Sequence, residues 1–153
     1  MRAAVALAAA AVSCAGALTL SPTAQASEPD PVTVMGGCGS LTPCGEATNL
    51  TPWGMYITTT LGTGKSGYCD VWNKDGGSTA SWWHAPCDQR YLAPGAHYGG
   101  GNIDVDAFTF NDRGYYMTFT SRVWHAAGVW TKITNLQEAR CDDRNGVPEC
   151  WIS

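Results

Sequence analysis

The stretch Asn111-Asp112-Arg113-Gly114-Tyr115-Tyr116-Met117-Thr118-Phe119-Thr120-Ser121-Arg122-Val123-Trp124 decides the fold class. From Tyr115 onward, Tyr115, Met117, Phe119 and Val123 fall on one parity, while Thr118, Thr120 and Arg122 fall on the other. A period of two is that of a half-buried strand. Asn-Asp-Arg-Gly ahead of it is turn chemistry, so the preceding segment, Asn102 to Phe110, reads as the strand from which the chain turns back. There the apolar parity switches from Ile103, Val105 and Ala107 to Phe108 and Phe110, and a β-bulge near Ala107 would account for the switch.

The same grammar extends outward. Trp53 to Leu61 carries Trp53, Met55, Ile57 and Leu61 on one face, with Thr58 and Thr60 opposite. Tyr68 to Trp72, Ser78 to His84, Arg90 to Ala93 and Val129 to Thr134 read as further short strands. Asp75-Gly76 and Pro94-Gly95 supply turns, and Pro86 is expected to interrupt the chain after His84. Short, evenly spaced strands of this kind predict an all-β domain, a small disulfide-stabilised antiparallel sandwich or barrel. A single helix of one or two turns is expected over Asn135 to Arg140, because Asn135 and Glu138 have the spacing of a capping box.

The amino-terminal region reads differently. Met1-Arg2 is followed by an uncharged run of Ala, Val and Leu to Leu20, then by Ala24-Gln25-Ala26, the small-x-small pattern of a signal-peptidase site. Residues 1–26 are therefore expected to be a cleaved signal peptide, 27–35 a flexible Pro-rich and acidic lead-in, and 36–153 a single β domain. Cys14 lacks a Leu-led lipobox, and although the run approaches the lower end of a membrane span, its Ala-rich, weakly apolar make-up and the well-placed Ala-x-Ala site favour cleavage over a permanent anchor.

Cleavage would remove one of seven cysteines and leave Cys38, Cys44, Cys69, Cys87, Cys141 and Cys150. Six cysteines in an exported chain predict three disulfides, paired between neighbours as Cys38–Cys44, Cys69–Cys87 and Cys141–Cys150. The whole chain carries a formal net charge of −4, with its cations scattered singly. It offers no basic patch for nucleic acid and, after signal cleavage, no amphipathic or polybasic stretch for a membrane.

Motifs with chemical content are few. Gly62-Thr63-Gly64-Lys65-Ser66 imitates the end of a phosphate-binding loop, but Thr59 stands where the first Gly is required and a strand follows, so it reads as a turn. Asn49-Leu50-Thr51 is formally a glycosylation sequon, followed by Pro52, and reads as a polar turn. Asp104 and Asp106 share one parity, as a carboxylate pair for glycoside hydrolysis or calcium would; a solvated strand face is the simpler reading. Asp142-Asp143-Arg144-Asn145-Gly146 lacks the EF-hand pattern and reads as a turn. No cofactor or metal is implied.

The aromatic load is the stronger signal. All seven Trp and six Tyr lie after Ala26. Trp72, Trp124 and Trp130 sit on the polar parity of their segments, and adjacent Trp82 and Trp83 must point opposite ways in a strand. Exposed aromatics on a rigid scaffold present flat surfaces to sugar rings or anchors to a protein. Trp72, Trp82, Trp83 and Trp124 are the expected ligand-binding residues.

The sequence is thus expected to encode a secreted, non-catalytic binding protein for polysaccharide or a cell surface, with bacterial-type export. One alternative is a secreted inhibitor or toxin-like effector that meets an extracellular protein through a disulfide-pinned loop. Another is a small hydrolase using Asp104 and Asp106 with His97 or His125. Intact mass of the exported protein should correspond to a chain starting at Ser27 with no free thiol; a retained amino terminus or six reactive thiols would contradict the export reading.

Overall fold

The computed structural model describes Cys38 and residues 43–153; the expected signal segment and lead-in lie outside the described residues. Among the described residues there are twelve strands and no helix: β1 (Glu46–Asn49), β2 (Met55–Thr58), β3 (Gly67–Val71), β4 (Trp83–Cys87), β5 (Arg90–Leu92), β6 (His97–Gly99), β7 (Ala107–Thr109), β8 (Tyr115–Thr118), β9 (Arg122–His125), β10 (Val129–Lys132), β11 (Glu138–Arg144) and β12 (Val147–Ile152). They form two six-stranded sheets. The first has the order β6-β1-β11-β12-β8-β9 and the second β4-β3-β10-β7-β2-β5. The protein is an all-β, disulfide-stabilised sandwich.

The sheets are mixed, which corrects the purely antiparallel expectation. β1 runs parallel to β11, β12 to β8 and β10 to β3. The expected hairpin of 102–110 with 115–124 also does not form, because β7 belongs to the second sheet and β8 to the first. The Asn111–Gly114 turn is a crossover between layers. Phe110 and Tyr115, at its two ends, are both fully buried with ring centroids 5.7 Å apart, so the turn is fastened from within the core. Tyr115 to Trp124 instead splits into its own hairpin, β8 with β9.

The principal core lies between the sheets. Ala47, Met117, Ala139, Cys141 and Cys150 of the first sheet meet Met55, Ile57 and Phe108 of the second. A second cluster gathers Leu61, Cys69, Val71, Ala85, Cys87, Ala107 and Trp130, with Tyr56 and Trp83 packed against it. The centre of the second sheet is therefore covered on both faces, and every residue of β7 is buried. This explains the parity switch without a bulge: Ala107 faces the second cluster and Phe108 the first.

Polar groups tie the layers together. The Tyr115 hydroxyl bonds to Val129 O (2.9 Å) and Thr131 Oγ1 (2.7 Å), and Trp72 Nε1 donates to the same Thr131 oxygen (2.9 Å). The side-chain polar atoms of Trp72, Tyr115 and Thr131 thus all have partners, as a low-dielectric interior requires. Burial pushes the Tyr115 phenol well above its ordinary pKa, with the bond to Thr131 opposing.

All three expected disulfides are present: Cys38–Cys44, Cys69–Cys87 and Cys141–Cys150. Cys69–Cys87 joins β3 to β4, and Cys141 faces Cys150 directly across the β11–β12 ladder. That ladder closes through Asn145 (φ 57°) and Gly146 (φ 81°), the two left-handed positions of a two-residue hairpin turn. Pro86 does not stop its strand, because β4 is the edge of its sheet and an edge tolerates a missing N–H. The expected helix at 135–140 is also absent: Gln137 closes a turn by accepting from the Thr134 amide through Oε1 (2.7 Å), and β11 begins at Glu138.

Replacing Tyr115 with Phe should leave the Thr131 hydroxyl short of a partner inside the core, while the Val129 carbonyl keeps its bond from Thr109 Oγ1 (2.7 Å). A loss of about 1–3 kcal/mol is expected, read as a lower urea midpoint; an unchanged midpoint would show that the inter-sheet hydroxyl contributes nothing.

Candidate functional site

The outer face of the first sheet is assembled by strand register. Trp124 on β9 lies opposite Tyr116 on β8, which lies opposite Glu149 on β12. One step along, Arg122 aligns with Thr118, Thr118 with Trp151, and Trp151 with Arg140. Trp124 is 51% exposed, and its ring meets that of Tyr116 edge-on at 4.9 Å. The Arg122 guanidinium covers the Tyr116 ring at 3.2 Å and pairs with Glu149 at 3.2 Å. Gly114 lets the indole of Trp124 settle, since a Cβ there would overlap it. The result is a surface of aromatic rings interleaved with charged hydrogen-bonding groups on four adjacent strands, β11, β12, β8 and β9.

The four tryptophans singled out from sequence part company. Trp124 belongs to this face. Trp82 immediately precedes β4 and is 66% exposed. Trp83 points the other way and packs against the second core cluster. Trp72 is not a surface residue: at 5% exposure it stacks on His125 at 4.6 Å and meets Phe119 edge-on. Its strand ends at Val71, so the Tyr68–Asp70–Trp72 parity fails at the bend that follows. Trp130, also placed on a polar parity, is buried in the second cluster because β10 is covered on both faces. Sequence reasoning passed over Tyr116 and Trp151 as platform residues, although Tyr116 shares a parity with Arg122 and Trp124.

A second feature missed from sequence lies on β3 and β4. Asp70 is paired with His84, whose Nδ1 lies 2.5 Å from the Asp70 carboxylate. The imidazole stacks on exposed Tyr68 at 4.5 Å with planes 10° apart. The carboxylate fixes the ring's orientation on an open surface.

Asp104 and Asp106 do not form the expected solvated face; both are buried, and Ile103 is exposed instead. Asp104 Oδ1 accepts from the Gly45 amide (2.6 Å), and Asp106 Oδ2 accepts from the Leu61 amide (3.0 Å). Each carboxylate thus clasps a loop. Burial raises the Asp106 pKa to about 6; the Leu61 amide opposes this, the Asp104 charge adds to it, and Lys132 opposes it. Neither candidate histidine is a partner of these carboxylates: His97 bonds to Thr48 (2.9 Å), while His125 is buried with Nε2 unpartnered, and burial lowers its pKa. Among the described residues no three His, Cys, Asp or Glu side chains gather as a metal-holding group.

The Gly62–Ser66 turn holds an anion after all, but one from its own chain. Asp88 Oδ1 accepts from the amides of Lys65 (2.9 Å) and Ser66 (2.8 Å) and from Ser66 Oγ (2.6 Å). These bonds, Ser66 Oγ foremost, lower its pKa to about 2. Asn49 is likewise occupied: its buried amide donates to Trp53 O, Leu92 O and Ala93 O, so the sequon is a bracket for a turn.

Comparison with family models, with curated proteins and with solved structures finds no match to this chain. What the surface offers therefore stands on its own chemistry.

Because the Asp106 pKa is raised in the folded state, its contribution is fully present below pH 4 and lost as pH rises through about 6. A shift of this size corresponds to roughly 3 kcal/mol. Asp106→Asn keeps an acceptor for the Leu61 amide and does not titrate. Relative to the wild type, it should gain stability between pH 4 and pH 7; a constant difference between the two proteins across that range would contradict the assignment.

Proposed function

We propose that this is a secreted, non-catalytic binding protein that holds polysaccharide against the outer face of its first sheet. The observation that carries this reading is the Trp124–Tyr116–Arg122–Glu149 arrangement, continued by Trp151 and Arg140. A sugar ring has an apolar face and an equatorial rim of hydroxyls. Trp124 supplies area for the first at small entropic cost, and the charged side chains supply donors and acceptors for the second. The register fixes these groups on a rigid sheet, so little ordering is needed on binding. Three disulfides and the absence, among the described residues, of any helix able to cross a membrane are compatible with an extracellular protein.

The Cys69–Cys87 bridge favours a second reading, in which a pinned loop meets an extracellular protein. It encloses the exposed segment that includes Trp82, and a covalently framed loop has already met part of its ordering cost.

Affinity electrophoresis or pull-down on insoluble glucans and cell-wall material should show retention of the native protein. Trp124→Ala should weaken that retention at least tenfold, whereas Trp82→Ala leaves it unchanged. Loss with Trp82→Ala but not Trp124→Ala would move the binding surface to the pinned loop, and retention unaffected by Trp124→Ala would overturn the platform.

A further inference from the structure

We propose that a second site, the cleft formed by Trp83, Lys74, Asp75 and Lys132, takes an anionic sugar unit and sets its two lysines against a carboxylate or phosphate. This rests on the carbohydrate reading above and names the charge that reading leaves open. The cleft encloses about 390 Å³ and lies at the margin of the second core cluster, where Trp83 is packed. Its size falls within the range of small-molecule sites, roughly 300–1,000 Å³.

Its composition runs against that of the chain. The protein is acidic and has only three lysines, yet two of them line this one concavity. Two ammonium groups line the cleft with one carboxylate, Asp75, while a second carboxylate, the buried Asp106, lies close enough to Lys132 to interact with its charge. The indole of Trp83 offers an apolar wall to a sugar face, Asp75 offers an acceptor to hydroxyls, and the ammonium groups offer donors to an anionic substituent.

The arrangement is held from beneath by a buried side chain with no other evident duty. Asn73 is fully buried, and its Oδ1 accepts from the Lys132 amide (2.7 Å). Its Nδ2 donates to Lys132 O (3.0 Å) and Gly77 O (3.1 Å). This one amide therefore fixes the Lys74–Gly77 turn against β10. The Lys74 amide donates to Ser81 O (2.8 Å), closing the turn's other side. Lys132 Nζ donates to Lys74 O (3.0 Å) and keeps two further N–H groups for a ligand. The two cations thus stand on a braced frame, although they come from segments far apart in the chain.

Calorimetric titration of the purified, oxidised protein at low ionic strength tests this with three probes: oligogalacturonate, a sugar-phosphate polymer and a neutral glucan oligomer. One or both anionic probes should bind, weaken as salt is raised, and lose at least tenfold in affinity in K74Q/K132Q. Binding of only the uronate or only the phosphate polymer identifies the anion. Lys74→Gln alone, at an exposed position, should cost threefold or more and keeps the test decisive if the double variant misfolds. Absence of binding to both anions, or wild-type affinity in Lys74→Gln, would overturn the proposal. If neutral-polymer retention still depends on Trp124 in that case, the platform stands and only the cleft fails. The reverse pattern removes the platform and leaves the cleft.

Discussion

Strand β7 has no face turned to water, and that constraint shapes the rest of the molecule. Ala107, Phe108 and Thr109 are all buried, so the chain must provide apolar cover on both sides of this strand. The first sheet covers one side. For the other, the second sheet curls on itself: β3 and β4, bridged by Cys69–Cys87, come round with Val71 and Ala85, and Trp130 fills the space. A strand placed this way has to bring its flanking backbone into the interior, where each amide and carbonyl needs a partner. Thr58 O and Asp106 N meet that need at the entry to β7, as do Asp106 O and Ile133 N.

The unusual tryptophan content thus resolves into several unrelated duties. Trp130 and Trp72 are interior, the latter held by its indole N–H on Thr131. Trp53 lies under the Arg113 guanidinium at 4.4 Å. Trp83 edges the second cluster, while Trp82 and Trp124 stand open to solvent. Two small cores of this kind contain little aliphatic bulk, and large flat rings fill them with few residues. A high aromatic count is therefore only partly a measure of binding surface here.

The fold class was legible because alternation survives in the strands of the first sheet, which keeps one face on the core: β1, β8 and most of β11 follow it. The disulfide pairing was legible because each pair joins segments that are neighbours in sequence and also in a ladder or loop. The second sheet broke the inference. When both faces are buried, polar parity no longer means exposure, so Trp130 and Thr58 read as outward-facing and are not. Asp104 and Asp106 misled for a related reason. They precede a strand rather than form one, and a carboxylate that accepts from a distant amide has no local sequence signature. The parallel pairings were equally invisible, since nothing in β1 names β11 as its partner. As for the candidate site, Trp124 could be picked out from parity, but its alignment with Tyr116, Glu149 and Trp151 required the register.

The order in which the strands are made bears on how the protein can assemble. In the first sheet, β11 lies between β1 and β12, and β12 lies between β11 and β8. The two strands synthesised latest therefore occupy the middle of the layer, and the earliest one waits for them with a bare edge. Such far-separated pairings are slow to form, because a long loop must close before any contact rewards it. A growing chain has no complete first layer to settle into until its final strands emerge, so premature folding is discouraged by topology itself.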